Sequence, residues 1–247
     1  MIDIQNPELL RYVRSELRPA RVATIIGGTL FGTILLALIV SVIHEHQTMS
    51  RWQYWREVYS MVFIASTLVL MLWTLINSSQ AVVSERTHRT FDFWRTTRLS
   101  PMTLAVGKLI GAPIGAWLQF ATALPILVFA GLMGGYNVTA TVGSMLVIGL
   151  FNLALGSLAL CLSMRSQDPR RSTMLMLVLA LFVLPNLSMR VSWFGDRDAA
   201  QRAWSAFNPT GVLAAWHDGY LLKVMLFGYA APSVLLTVTL SLAVILW

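Results

Sequence analysis

Few residues in this chain could do chemistry, and their spacing excludes most reactions. His44-Glu45-His46 puts two imidazoles at i and i+2, which cannot both face one metal on a helix, and the His-Glu-x-x-His spacing of zinc hydrolases is absent. His217-Asp218, and Asp196 with Asp198, are the other acid or imidazole groupings, and exposed clusters of that kind are ordinarily solvated. Cys161 is the single cysteine and lies in an apolar run, so it forms no intrachain disulfide and suggests no thiol–imidazole pair. Gly107-Lys108 is followed by Leu109, and no Gly-x-x-x-x-Gly-Lys-Ser/Thr run occurs, so no phosphate-binding loop is expected. The chain is therefore expected to hold no catalytic residue and no metal.

The chemistry that remains is recognition. The stretch Ser84–Lys108 is polar, basic and studded with aromatics, with Arg86, Arg89, Arg95, Arg98 and Lys108 against Glu85 and Asp92. On a helix Phe91, Trp94 and Arg95 fall at i, i+3 and i+4 and form one aromatic and basic face. Trp, Phe and Arg are residue types that anchor interfaces in pockets. Glu85–Arg89 and Asp92–Arg95 have the spacing of helical ion pairs, each worth a few tenths of a kcal/mol when exposed. The competing reading is that Phe91, Phe93 and Trp94 dip into lipid headgroups as an aromatic belt.

The elements that must position this stretch are apolar. Of 247 residues 56% are hydrophobic and 12% charged, and the mean hydropathy is +0.67. Soluble domains carry about 25% charged residues, so an all-α membrane protein is expected. The net charge of +7 sits in short clusters between apolar runs, not on one continuous face, which excludes a nucleic-acid partner. Residues 1–21 read as an amphipathic interfacial helix. Asn6-Pro7 serve as N-cap and first helical position, Leu9, Leu10, Val13 and Leu17 form an apolar stripe, and Arg11, Arg14, Arg18 and Arg21 face anionic headgroups. A solvated basic tail is the alternative. Residues 22–247 read as six spans, at about 22–43, 58–83, 109–132, 139–164, 172–189 and 224–247. Gly134-Gly135-Tyr136-Asn137 splits the long uncharged run between Leu109 and Met164. With the N-terminus inside, twelve Lys and Arg fall on the inner side and six on the outer, which favours N-in and C-in.

Glu85-Arg86 followed by Thr90, then Thr96-Thr97-Arg98-Leu99-Ser100-Pro101, then Gly107-Lys108 leading into an apolar helix, resembles the loop between spans two and three of ABC-2 type transporter permeases. That family's pattern runs roughly E-R-x-x-G-T, one or two helical turns, T-P-L-S-P and later G-K. Arg89 stands where the family usually has Gly, and Arg98 where it usually has Pro. The layout of the whole chain is similar as well, including Asn208-Pro209-Thr210 between spans five and six. The resemblance implies the transmembrane half of an ATP-binding cassette exporter in a cell (inner) membrane. Glu85, Arg86, Thr90, Phe91, Trp94, Arg95, Leu99, Ser100 and Pro101 would form the coupling helix that meets a separate ATPase subunit. ATP and Mg would be bound by that partner, no cofactor by this chain, and a second permease copy, alike or related, would complete the path. Short re-entrant helices between spans five and six would close it on the outer side.

Within the expected spans there is no Asp, Glu, Lys, Arg or His, which disfavours an ion-coupled carrier. Gln119, Asn152, Asn186 and Thr237 read either as hydrogen-bond glue between helices or as lining of a lipid-accessible path. An uncharged wall rich in Met and aromatics suits an amphiphilic or hydrophobic substrate. Gly107, Gly111 and Gly115 recur every fourth residue, as do Gly28 and Gly32, spacing that permits close helix packing. Trp193, Phe194, Trp204, Phe207, Trp216 and Tyr220 mark an outer interfacial belt, with Asn208, Pro209 and Thr210 as either a gate element or plain anchoring. A membrane scaffold or signalling partner, and a membrane-embedded enzyme, are the other function classes.

Overall fold

The computed structural model describes residues 6–45, 50–87, 101–136 and 138–165, and the backbone of 223–226 and 229–232. Seven helices follow in order among these: α1 (Pro7–Glu16), α2 (Pro19–Glu45), α3 (Arg51–Ala81), α4 (Val83–Thr87), α5 (Pro101–Gly111), α6 (Ile114–Met133) and α7 (Val138–Arg165). Four stretches, Pro19–Ile43, Arg51–Glu85, Ile114–Met133 and Thr141–Arg165, are long and apolar enough to cross a membrane. The described part is thus a multi-pass helical membrane protein.

Local chemistry sets the helix ends. Asn6 caps α1, its Oδ1 accepting from the N–H groups of Glu8 at 3.1 Å and Leu9 at 3.5 Å, and Pro7 takes the first turn, where a missing N–H costs nothing. Pro19 ends the helical run of α1 and opens α2, so one proline divides the short first helix from the long apolar one. At α3 the Ser50 N–H donates to Gln53 Oε1 at 2.9 Å, which lets the helix begin at Arg51, seven residues before the apolar run that marked it in the sequence. The run expected as one span from 109 is two helices. Pro113 has no N–H to donate, α5 stops at Gly111, and α6 restarts at Ile114 with Pro113 as its N-cap.

Helix α3 is the centre of the bundle, packed on α6 and α7, while α2 leans on α6 and α3. Leu70, Ala123, Leu127 and Ile148 are fully buried at these seams. In lipid, helix association gains little from the hydrophobic effect, so close fit and small residues must supply it. Ala116, Ala123 and Ala130 of α6, all at 0% exposure, and Gly131 let α3 and α7 approach; a Cβ on Gly131 would stand 3.2 Å from Thr141 and 3.3 Å from the Tyr59 ring. At one end of the bundle the start of α3 meets the turn between α6 and α7. The Arg56 guanidinium lies 5.0 Å above the Tyr136 ring, and Gly135 takes φ +79°, a conformation open to glycine, beside Trp52. Trp55 meets Phe129 edge-on there, at 5.3 Å between centroids.

The expected sixth span is corrected at its start. Residues Lys223–Leu226 and Tyr229–Pro232 are antiparallel strands, pairing Lys223 with Pro232 and Leu226 with Tyr229, so a helix does not begin at 224. Gly228 lies between the strands, and Pro232, which cannot donate to a ladder, sits at the strand end where that loss is tolerated. The expected fifth span, 172–189, and residues 233–247 lie outside the described residues.

Candidate functional site

The end of the bundle opposite Arg56 and Tyr136 holds four charged side chains that the sequence keeps far apart. Lys108, 2% exposed on α5, has its Nζ 3.3 Å from Glu8 Oε1 on α1 and 2.5 Å from Glu85 Oε2 on α4. Arg11 Nη2 donates at 2.8 Å both to Glu8 Oε1, three residues before it, and to Glu85 Oε1, seventy-four residues after it. Glu8 is wholly buried and Glu85 is 6% exposed, whereas nearly half of the Arg11 side chain reaches solvent. Two carboxylates thus share two cations, and the group is neutral as a whole. Neutrality is what allows it to be buried, because an isolated ion in a low-dielectric site costs several kcal/mol.

Backbone and ring contacts also join α1 to α5. Asn6 Nδ2 donates to the Thr103 carbonyl at 2.7 Å, tying the cap of α1 to the first turns of α5. Gly107 and Gly111 present bare backbone to α1. A Cβ on Gly107 would lie 2.9 Å from Glu8 Cβ, and one on Gly111 would lie 2.7 Å from Tyr12 Cδ2. The glycine repeat expected to permit close packing does so here, and Gly115 continues it against Trp73 of α3. Gly28 and Gly32, by contrast, have nothing within 4 Å among the described residues.

The electrostatics follow from this burial. The Tyr12 phenol is pushed up to about 12 by desolvation first and by the Glu8 carboxylate next, so it stays neutral beneath Arg11, whose guanidinium lies 5.1 Å from the ring centre. Burial works to lower the Arg11 pKa, but the hydrogen bond to Glu85 and the charge of Glu8 outweigh it and the pKa is raised. Arg21 pairs with Glu16 at 2.6 Å across the turn joining α1 and α2. All four arginines expected to face headgroups, Arg11, Arg14, Arg18 and Arg21, are exposed, Arg11 and Arg21 while holding ion pairs.

The residues singled out in the sequence distribute as follows. Glu85 and Arg86 lie on α4, Glu85 turned into the cluster, and Pro101 opens α5. Thr90, Phe91, Trp94, Arg95, Leu99 and Ser100 lie outside the described residues, as do Asn186, Thr237 and Asn208, Pro209 and Thr210. Gln119 and Asn152 are buried between helices, at 7% and 0% exposure. Asn152 Nδ2 donates to Thr74 Oγ1 at 3.0 Å and joins α7 to α3, while Asn152 Oδ1 and Gln119 Oε1 have no hydrogen-bond partner among the described residues. Removing the crosslink as Asn152→Ala is expected to lower stability by about 0.6 kcal/mol, the average for hydrogen bonds between membrane helices, read as a shifted midpoint of detergent-induced unfolding. Among the described residues no three His, Cys, Asp or Glu side chains gather as a metal site.

The residues that sequence reasoning missed are Glu8, Arg11 and Lys108 acting together. A glutamate in the first turn of a basic helix, and a lone lysine at the head of a 56-residue uncharged run, were the available signals. No protein-family model matches the chain, and no curated protein is significantly similar to it.

Proposed function

We propose that this chain is the multi-pass membrane permease subunit of an ATP-binding cassette exporter of the ABC-2 type, in a cell (inner) membrane with its N-terminus on the inner side. The single observation that carries the reading is the charged end of the bundle. Glu85 and Lys108, the acidic and basic landmarks of the Ser84–Lys108 stretch, are ion-paired, and the basic amphipathic helix α1 is packed against both. An exporter needs its membrane subunit to offer an ATPase a firmly founded docking stretch next to the membrane surface, and this end of the chain supplies the foundation. The charge bias agrees, since the N-terminal arm and the Ser84–Lys108 stretch are among the basic-rich segments and share an end.

In this reading Phe91, Trp94 and Arg95 dock in the ATPase, with Arg86, Thr90, Leu99, Ser100 and Pro101 shaping the docking stretch. ATP and Mg bind to the partner, which does the hydrolysis. A second permease copy completes a path for an amphiphilic or hydrophobic substrate, with Gln119, Asn152, Asn186 and Thr237 supplying its polar points. Asn208, Pro209 and Thr210 belong to the outer closure. Trp94→Ala with Arg95→Ala is expected to weaken ATPase association about tenfold or more, the loss typical when interface hot spots of about 2 kcal/mol are truncated. Co-purification of the tagged chain from its native membranes, with the ATPase quantified per permease, makes the measurement. No associated ATPase in the wild-type preparation would overturn the reading.

A further inference from the structure

Glu85 and Lys108 stand at the two stems of residues 88–100, one on the last helix before them and one on the first helix after them. Their 2.5 Å ion pair closes the base of that stretch. Helix α1 then adds a third element to the base. Glu8 reaches the same lysine, Arg11 reaches the same glutamate, and the α1 backbone rests on Gly107 and Gly111. We propose that α1 is a rigid strut of the docking end, with Glu8 and Arg11 as positioning residues that make α1, α4 and α5 move as one body. The proposal rests on the permease reading above and assigns to α1 a part in coupling rather than membrane attachment alone.

The geometry favours a fixed strut over a latch that lifts. Lifting α1 would withdraw Glu8 and Arg11 from Lys108 and Glu85, and would uncover two glycines at which an added Cβ would stand within 3.2 Å of Glu8 and Tyr12. It would also break the bond from Asn6 to the Thr103 carbonyl. Glu8→Gln is a mild way to loosen the strut, because it leaves Lys108 paired with Glu85 and the excess positive charge falls on the half-exposed Arg11.

The test uses the full chain with its co-purified ATPase. Glu8→Gln is expected to keep the amount of bound ATPase unchanged and to reduce hydrolysis per complex at least fivefold. A covalent replacement then separates positioning from general damage. In a Cys161→Ala background, Tyr12→Cys removes the ring atoms that a Cβ at position 111 meets most closely, and with Gly111→Cys it leaves two Cβ atoms 3.1 Å apart, which a shift of a few tenths of an ångström brings to the separation of about 3.5–4.5 Å that disulfides need. Oxidising that pair is expected to leave the otherwise wild-type complex active and to restore hydrolysis to the Glu8→Gln complex, and reduction is expected to remove the rescue. Reversible inactivation of the wild-type complex by the disulfide would show that α1 must move, which overturns the proposal. Unchanged hydrolysis in Glu8→Gln would overturn it too. Absence of any ATPase from the wild-type preparation is the separate failure of the permease reading.

Discussion

Lys108→Met is expected to prevent the chain from accumulating as a folded membrane protein. The lysine is the only cation of the cluster that is itself buried, at 3% side-chain exposure, and it faces carboxylates at 0% and 7%. Methionine keeps the length and removes the charge, so Glu8 and Glu85 would be left to share Arg11, whose side chain is 45% exposed. Breaking a buried ion pair from one side costs about 3–5 kcal/mol, because the remaining charge stays desolvated. That is a large part of a total stability of about 5–15 kcal/mol. Adding Glu8→Gln and Glu85→Gln to Lys108→Met is expected to recover most of the loss, since neutral groups of similar shape carry no such penalty. The yield of monodisperse protein and its thermal midpoint in detergent measure both variants. A single Lys108→Met variant as stable as wild type would show that the cluster is not held together by its charges.

The second large effect is steric. Gly111→Val is expected to expel α1 from its seat. The new Cβ would lie 2.7 Å from Tyr12 Cδ2, 3.0 Å from Cγ and 3.1 Å from Cβ, and valine adds two further methyl carbons while the Tyr12 ring stays in place. Overpacking of this kind costs about 1–3 kcal/mol when neighbours can shift; here the shift has to be that of a whole helix. Trypsin is expected to cut after Arg14 within minutes in the variant and far more slowly in the wild type, where a docked helix resists the local unfolding that proteolysis requires. Gly28→Ala and Gly32→Ala are the control, because nothing among the described residues stands within 4 Å of either position. Equal cleavage of Gly111→Val and wild type would mean that α1 does not depend on the glycine face.

Both predictions turn on contacts between residues distant in sequence, and this marks the limit of what the sequence disclosed. The long helices were legible because twenty or so uncharged residues in a row have one comfortable fate in a bilayer. The span expected at 139–164 and the helix at Val138–Arg165 differ by one residue at each end. The Asn6-Pro7 cap was legible because capping is local chemistry, settled within four residues. Helix starts were less legible where side chains did the work. Arg51–Glu57 is polar and still helical, since the cap at Ser50 and Gln53 sets the start of α3 and hydropathy does not register it. The break at Pro113 was hidden because hydropathy counts residues and does not weigh a missing N–H.

The candidate site was legible only in outline. Charge and aromatic spacing pointed to Ser84–Lys108, and the glycine repeat pointed to a packing seam. Neither could say that the seam receives α1. Glu85 had a local explanation as a helical ion pair with Arg89, which lies outside the described residues, and the structure brings it into a buried cluster with Arg11 and Lys108. Nonlocal pairing of that sort leaves no periodic trace, since each partner looks like an ordinary charge at a helix end.

The ion pair between Glu8 and Lys108 also has a clock attached to it. One hundred positions separate the two residues along the chain. At synthesis rates of about 5–20 residues per second, helix α1 is synthesised roughly 5–20 s before its lysine exists. During that interval the newborn segment has no seat, and its arginines and leucines can be sheltered only by the bilayer surface. On this schedule the amphipathic character of α1 serves first as a waiting place, and the glycines of α5 take over when that helix is made.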